Sequence, residues 1–139
     1  MKLVIKGTLP GLNEYIQAER TNKYVAARIK DEYQGIIMTY IKKCLGSWKP
    51  RTPVWMHYTW YEKDRRRDKD NVSFARKFIQ DALVKARTLP NDGWKEIEGF
   101  DDTFLVDAKN PRIEVEIVEY GDIKQESVGS GEGDCRLLQ

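Results

Sequence analysis

Arg65-Arg66-Arg67-Asp68-Lys69-Asp70-Asn71 stands between an aromatic run and a helical one, and its reading decides the fold. Upstream, Val54, Met56, Tyr58 and Trp60 alternate with Trp55, His57, Thr59 and Tyr61. Aromatic and β-branched residues at a period of two describe a strand. Both of its faces carry large side chains, which suits a central strand or one covered by a partner subunit. Downstream, Val72, Ala75, Phe78, Ile79, Ala82, Leu83 and Ala86 recur at helical spacing. They predict one helix from Asp70 or Asn71 to Arg87, with the acid or amide at its start as a cap.

Working outward, Lys2 to Lys6 alternates as a short strand, which Gly7, Pro10 and Gly11 stop. Leu9 to Tyr15 reads as a turn-rich link. From about Asn22 to Leu45 the spacing is helical, with Val25, Ile29, Tyr33, Ile36, Ile37, Tyr40 and Ile41 on one stripe. Asn22 or Thr21 is the expected cap and Gly46 the expected stop. Beyond the loop of Leu89 to Gly93, Thr103 to Asp107 and Arg112 to Glu119 read as two strands. Lys109-Asn110-Pro111 would join them as a hairpin. The expected order is β-α-β-α-β-β: a single α+β domain over residues 1–120, with two helices packed on a small mixed sheet. Residues 121–139 turn to Ser, Gly and charge, and are expected to form a flexible polar tail.

The chain has 139 residues and a formal net charge of +2, too little to demand a nucleic-acid partner. The charge is unevenly spread. Residues 63–77 hold seven basic and three acidic side chains, whereas residues 121–139 are net negative. The positive charge therefore surrounds the acids. Two distant cysteines, Cys44 and Cys135, argue against a disulfide framework or a thiolate zinc site. No signal peptide or membrane-length apolar run is present, so the expected compartment is the cytoplasm, with no membrane partner.

Asp68 and Asp70 stand two apart, and at a strand end such residues point the same way. They can give two oxygens to one hard cation, and magnesium accepts a few carboxylates with waters and phosphate oxygens. The plain alternative is a pair of solvated loop acids, one of them a cap. At about 100° per residue, Lys77 and Asp81 each fall within roughly 20° of Asp70 on the face opposite the apolar stripe. Lys77 would then sit about 10.5 Å along the axis from Asp70. It could serve a phosphate there, or be an i,i+4 partner of Asp81. Asp92 lies in a Pro-Asn-Asp-Gly turn, where aspartate often serves local bonding; Asp101 and Asp102 are equally ambiguous. His57, the only histidine, sits mid-strand, which argues against histidine catalysis. Trp94 could stack on a base, but packing at the domain rim is the expectation.

Arg66-Arg67-Asp68-Lys69-Asp70-Asn71, then Lys77, Asp81-Ala82-Leu83 and Asn91-Asp92, resembles the signature of the RusA-type Holliday junction resolvases. Leu9-Pro10-Gly11-Leu12-Asn13-Glu14-Tyr15 is similar to that family's Pro-x-x-Asn-x-Tyr segment, and the resemblance spans about residues 3–119. It implies a homodimeric phage or prophage endonuclease that resolves four-way DNA junctions by paired nicks, in recombination and repair. Asp68, Asp70 and Asp92 would hold one or two magnesium ions, and Lys77 would be the essential lysine. Arg65, Arg66, Arg67, Lys69 and Arg76 would contact the DNA backbone, and no small-molecule cofactor is implied. Two features depart from the pattern: Lys77 comes about three residues late, and Arg87 stands where the family often has glycine. A less selective flap or fork nuclease and a catalytically silent junction-binding protein are the rival readings.

Overall fold

A computed structural model of the chain describes residues 1–121, so the expected tail lies, beyond Gly121, outside the described residues. In chain order the elements are β1 (Lys2–Lys6), α1 (Leu12–Thr21), α2 (Lys23–Leu45), β2 (Val54–Glu62), α3 (Lys69–Ser73), α4 (Arg76–Lys85), β3 (Ile97–Val106) and β4 (Arg112–Glu119). The strands form one mixed sheet in the order β1-β4-β2-β3. Together they make a small α+β domain of a single sheet with helices against it.

The aromatic strand is central, as its two-sided pattern implies. β2 pairs antiparallel with β4 and parallel with β3. Val54, Met56, Tyr58 and Trp60 are buried, together with Leu3 and Ile5 of β1 and Ile113, Val115 and Ile117 of β4. These meet Ile37, Ile41 and Leu45 of α2 and Phe78, Ile79, Ala82 and Leu83 of α4 in one core. On the other face Trp55, His57, Thr59 and Tyr61 are only half-buried.

Three sequence expectations change. The last two strands are not a hairpin: β3 and β4 flank β2 on opposite sides. A strand parallel to β2 needs a crossover, which α3 and α4 supply, and the turn through Lys109-Asn110-Pro111 then carries the chain past the end of β2. Secondly, Leu12 to Thr21 is a helix, so the link is shorter than expected. Asn22 ends it and caps α2, its side chain accepting from the Tyr24 N–H at 2.7 Å. Gly46 closes α2 with φ 58°. The buried face of α2 is centred on Ala26, Gln34, Ile37 and Ile41, and Ile36 is exposed.

Thirdly, the helix after the acidic stretch is broken. Ala75 N–H bonds the Val72 carbonyl and Lys77 N–H bonds that of Phe74, both three residues back. Three residues per turn keep Val72, Ala75 and Phe78 on one buried line. Phe74 meanwhile packs against Tyr15 and Phe78, at 5.6 and 5.8 Å between ring centroids. Asp70 and Lys77 therefore do not ride on one continuous helical face. Among the described residues no helix is long and apolar enough to cross a membrane.

Candidate active site

Asp68 caps α3 in position only: its backbone is extended, and its side chain makes no capping bond. Asp70, in the first turn, accepts the N–H of Asn71 at 2.9 Å. Both carboxylates are exposed, and neither is ion-paired among the described residues, although five basic side chains lie within residues 63–69. The acids around them are engaged. Asp64 accepts the Arg66 N–H at 3.0 Å, and Glu62 takes the Arg67 guanidinium at 2.9 and 3.0 Å. Asp68 and Asp70 line one cleft of about 750 Å³ with Arg65, Lys69 and the Phe104 ring.

Arg67 fixes this cleft to the N-terminal segment. Besides Glu62 it donates to the Leu9 carbonyl at 2.9 Å and to Glu14 at 3.5 Å. Burial opposes its charge, but the carboxylates of Glu62 and Glu14 outweigh that and hold its pKa above the ordinary value. Asn71 makes a second tie: its side-chain oxygen accepts the Asn13 N–H at 2.9 Å, satisfying a free donor at the start of α1. The chain approaches so closely that a Cβ on Gly11 would stand 2.5 Å from that oxygen. Nothing in the local pattern of either segment predicts their contact. The signal available was the glycine at Gly11, which permits a close backbone approach.

Lys77 and Asp92 lie elsewhere, in a cleft between α2 and α4. Lys77 Nζ is 3.9 Å from Asp81 and Lys30 Nζ 3.5 Å from the same carboxylate oxygen, so the i,i+4 pairing is present. The structure thus brings Asp68 to Asp70 and Lys77 to Asp92, and leaves the two pairs in separate clefts. Among the described residues no three Asp, Glu, His or Cys side chains gather as a metal-holding group. Asp68 and Asp70 nevertheless suit a magnesium ion as a donor set. They are hard oxygen ligands without a competing cation among the described residues, and magnesium commonly takes one or two carboxylates with substrate phosphates.

Arg65, Arg66 and Lys69 are exposed. Arg76, expected to be exposed like them, is instead partly buried: its guanidinium pairs with Asp102 and lies 4.5 Å over the Phe100 ring. Asp102 also accepts the Trp60 indole N–H at 2.8 Å. Asp101 lies on the open sheet face, accepting the Trp55 indole N–H at 2.8 Å and sitting 2.7 Å from His57 Nδ1. Trp94 does not pack at the rim; it is 97% exposed. No family model matches the chain, and no curated protein matches it.

Proposed function

We propose that the protein is a magnesium-dependent, structure-selective DNA endonuclease that resolves four-way junctions by paired phosphodiester nicks. One observation carries the reading: Asp68 and Asp70 share a cleft amid arginines and lysines, yet neither is neutralised by any of them. Carboxylates in basic surroundings ordinarily pair, as Glu62, Asp102 and Asp107 do here. Two left open beside a cationic approach are fit to take a metal ion and a phosphate together. The resemblance of Arg66 to Asn71, with Lys77 and Asp92, to the RusA-type resolvases supports the same reading.

Asp68 and Asp70 would hold magnesium, whose chemistry when bound is to activate water and stabilise the leaving oxygen. Arg65, Arg66 and Lys69 grip the DNA backbone, which makes binding strongly salt-dependent. Arg67 keeps the acidic loop against Leu9, fixing where the carboxylates stand. The resemblance would give Lys77 the offsetting of charge on the scissile phosphate and Asp92 the place of third acid, although both lie in the other cleft. A homodimer presents two such sites to a two-fold symmetric junction. The expected location is the cytoplasm of a bacterial or phage-infected cell.

The separation of Asp92 and Lys77 from Asp68 and Asp70 favours a second reading, a protein that binds junctions without cutting them. Cleavage of labelled four-way, forked and linear DNA in magnesium separates the possibilities. Paired nicks confined to the four-way substrate support the proposal. Equal cutting of forks points to a less selective nuclease, and binding without cutting supports the silent protein.

A further inference from the structure

Across the open face of the sheet, strand register sets the side chains in rows. Lys2 of β1, Glu116 of β4, His57 of β2 and Asp101 of β3 make one row. The next begins with Val4 and ends with Thr103. The Trp55 ring lies across Gly99, where a Cβ would stand 2.6 Å from it, and stacks on Tyr120. Among the strand residues of this face are three cations, Lys2, Lys6 and Arg112, and three carboxylates, Asp101, Glu114 and Glu116. A surface so balanced offers the DNA backbone no net attraction. Large aromatic side chains among paired charges suit a protein partner instead.

We infer that this face is covered by the same face of a second copy, related to it by a two-fold axis parallel to the strands. That operation reverses the strand order β1-β4-β2-β3, so β1 of each copy lies over β3 of the other. The row from Lys2 to Asp101 then meets its own reverse. Lys2 faces the partner's Asp101, and Glu116 faces the partner's His57. A two-fold contact requires such self-complementarity, and packed sheets keep their strands within about 30° of one another. An axis across the strands would instead set Lys2 against the partner's Lys6, like charge on like. Both groups keep bonding capacity. Glu114 is shared by Lys2 and Arg112, at 3.1 and 2.7 Å, and the Trp55 and His57 nitrogens both meet Oδ2 of Asp101. The ammonium has three donors and the carboxylate a second oxygen. Four strands about 4.8 Å apart, over about eight residues of roughly 3.3 Å each, give a footprint of about 500 Å² per copy. Specific interfaces begin near the resulting total of about 1,000 Å². The same axis sends both Asp68–Asp70 clefts to one end of the dimer, because Glu62 and Val106, where β2 and β3 finish, line that cleft. The inference gives the homodimer of the proposed function its interface, and rests on that reading only in setting DNA at that end.

The test measures association of the full chain without DNA, by analytical ultracentrifugation across a concentration series. The wild type is expected to be a dimer. Lys2→Glu and Asp101→Lys should each associate at least about tenfold more weakly, since each sets like charges together twice per dimer. Mixed, the two variants should associate as the wild type does, because each then offers the charge that the other has reversed. Within one chain Lys2 and Asp101 stand three strand spacings apart, roughly 14 Å, so recovery on mixing has no intrachain explanation. Thermal melting checks that both variants fold. Thr103→Arg, at an exposed position facing the partner's Val4, supplies a second reading and should also dissociate the dimer. A monomeric wild type overturns the inference. So does a dimer that these substitutions leave intact, or one weakened by both charge reversals that mixing does not restore. Magnesium cleavage by the wild type is scored separately. Cutting by a chain whose association ignores the substitutions removes this interface alone, and a dimer of this face that does not cut removes the nuclease reading alone.

Discussion

Arg87 takes φ 62°, the left-handed conformation, at the residue following the cap of α4. Its N–H bonds the Val84 carbonyl at 3.0 Å while the Thr88 N–H bonds that of Leu83 at 3.0 Å, the paired closure that glycine usually occupies. Arg87→Gly should therefore stabilise the protein by about 1 kcal/mol, raising the melting temperature by a few degrees. An unchanged or lower melting point would show that the arginine side chain compensates. Sequence already marked this position, because arginine stands there in place of the glycine of the resembling pattern. The acids were legible in kind but not in grouping. Spacing picked out Asp68, Asp70 and Lys77, and only the resemblance added Asp92; spacing also placed Lys77 with Asp70 by assuming an unbroken helix. Lys77→Ala should reduce turnover far more than junction affinity, whereas Lys69→Ala should reduce affinity and make the salt slope shallower by about one unit. Equal turnover in Lys77→Ala and wild type would move the role to Arg65 or Arg66. Phe74 offers no substitute site for the lysine, since its ring is held between Tyr15 and Phe78.

Sequence predicts an element where one periodicity dominates and fails to where a tertiary contact decides. β1, α2, β2 and β4 begin and end within a residue or so of expectation because alternation, the Asn22 cap and Gly46 are local signals. At the interruption, Phe74 packs against Tyr15 of α1, whose residues carry turn signals in the sequence. The place of β3 depends on which side of β2 is free, and local pattern says nothing about that. The contact of α1 with the acidic loop is the element-scale feature with most consequence. Gly11→Ala would drive a Cβ into the side chain and carbonyl of Asn71, at 2.5 and 2.9 Å. This should loosen the Asn71–Asn13 bond and shift the first turn of α3. The expected outcome is a lower melting temperature and cleavage reduced more than DNA binding, measured side by side. Wild-type melting and cleavage in Gly11→Ala would mean that α1 does not position the acids.

For the whole molecule, electrostatics set an acid limit to stability. Hydrogen bonds from Arg112 depress the pKa of Glu114, with Lys2 adding to it, and likewise that of Asp107. Arg51 does the same to Glu119. Carboxylates lowered in the folded state stabilise it fully above their ordinary pKa of about 4. That contribution is lost as the pH falls through the lowered folded values. The melting temperature should thus decline below about pH 4, and Arg112→Met should flatten part of that decline; an equally steep acid limb in the variant would contradict it. At this scale the account stands on the open carboxylate pair in a basic cleft, and one measurement meets it directly: single-turnover cleavage of a four-way junction in magnesium by wild type and Asp70→Asn, with binding of both measured in calcium. The account predicts paired nicks by the wild type, cleavage at least ~100-fold slower in the variant and nearly equal binding. Cutting by Asp70→Asn at the wild-type rate, or none by the wild type on a junction it binds, would contradict it.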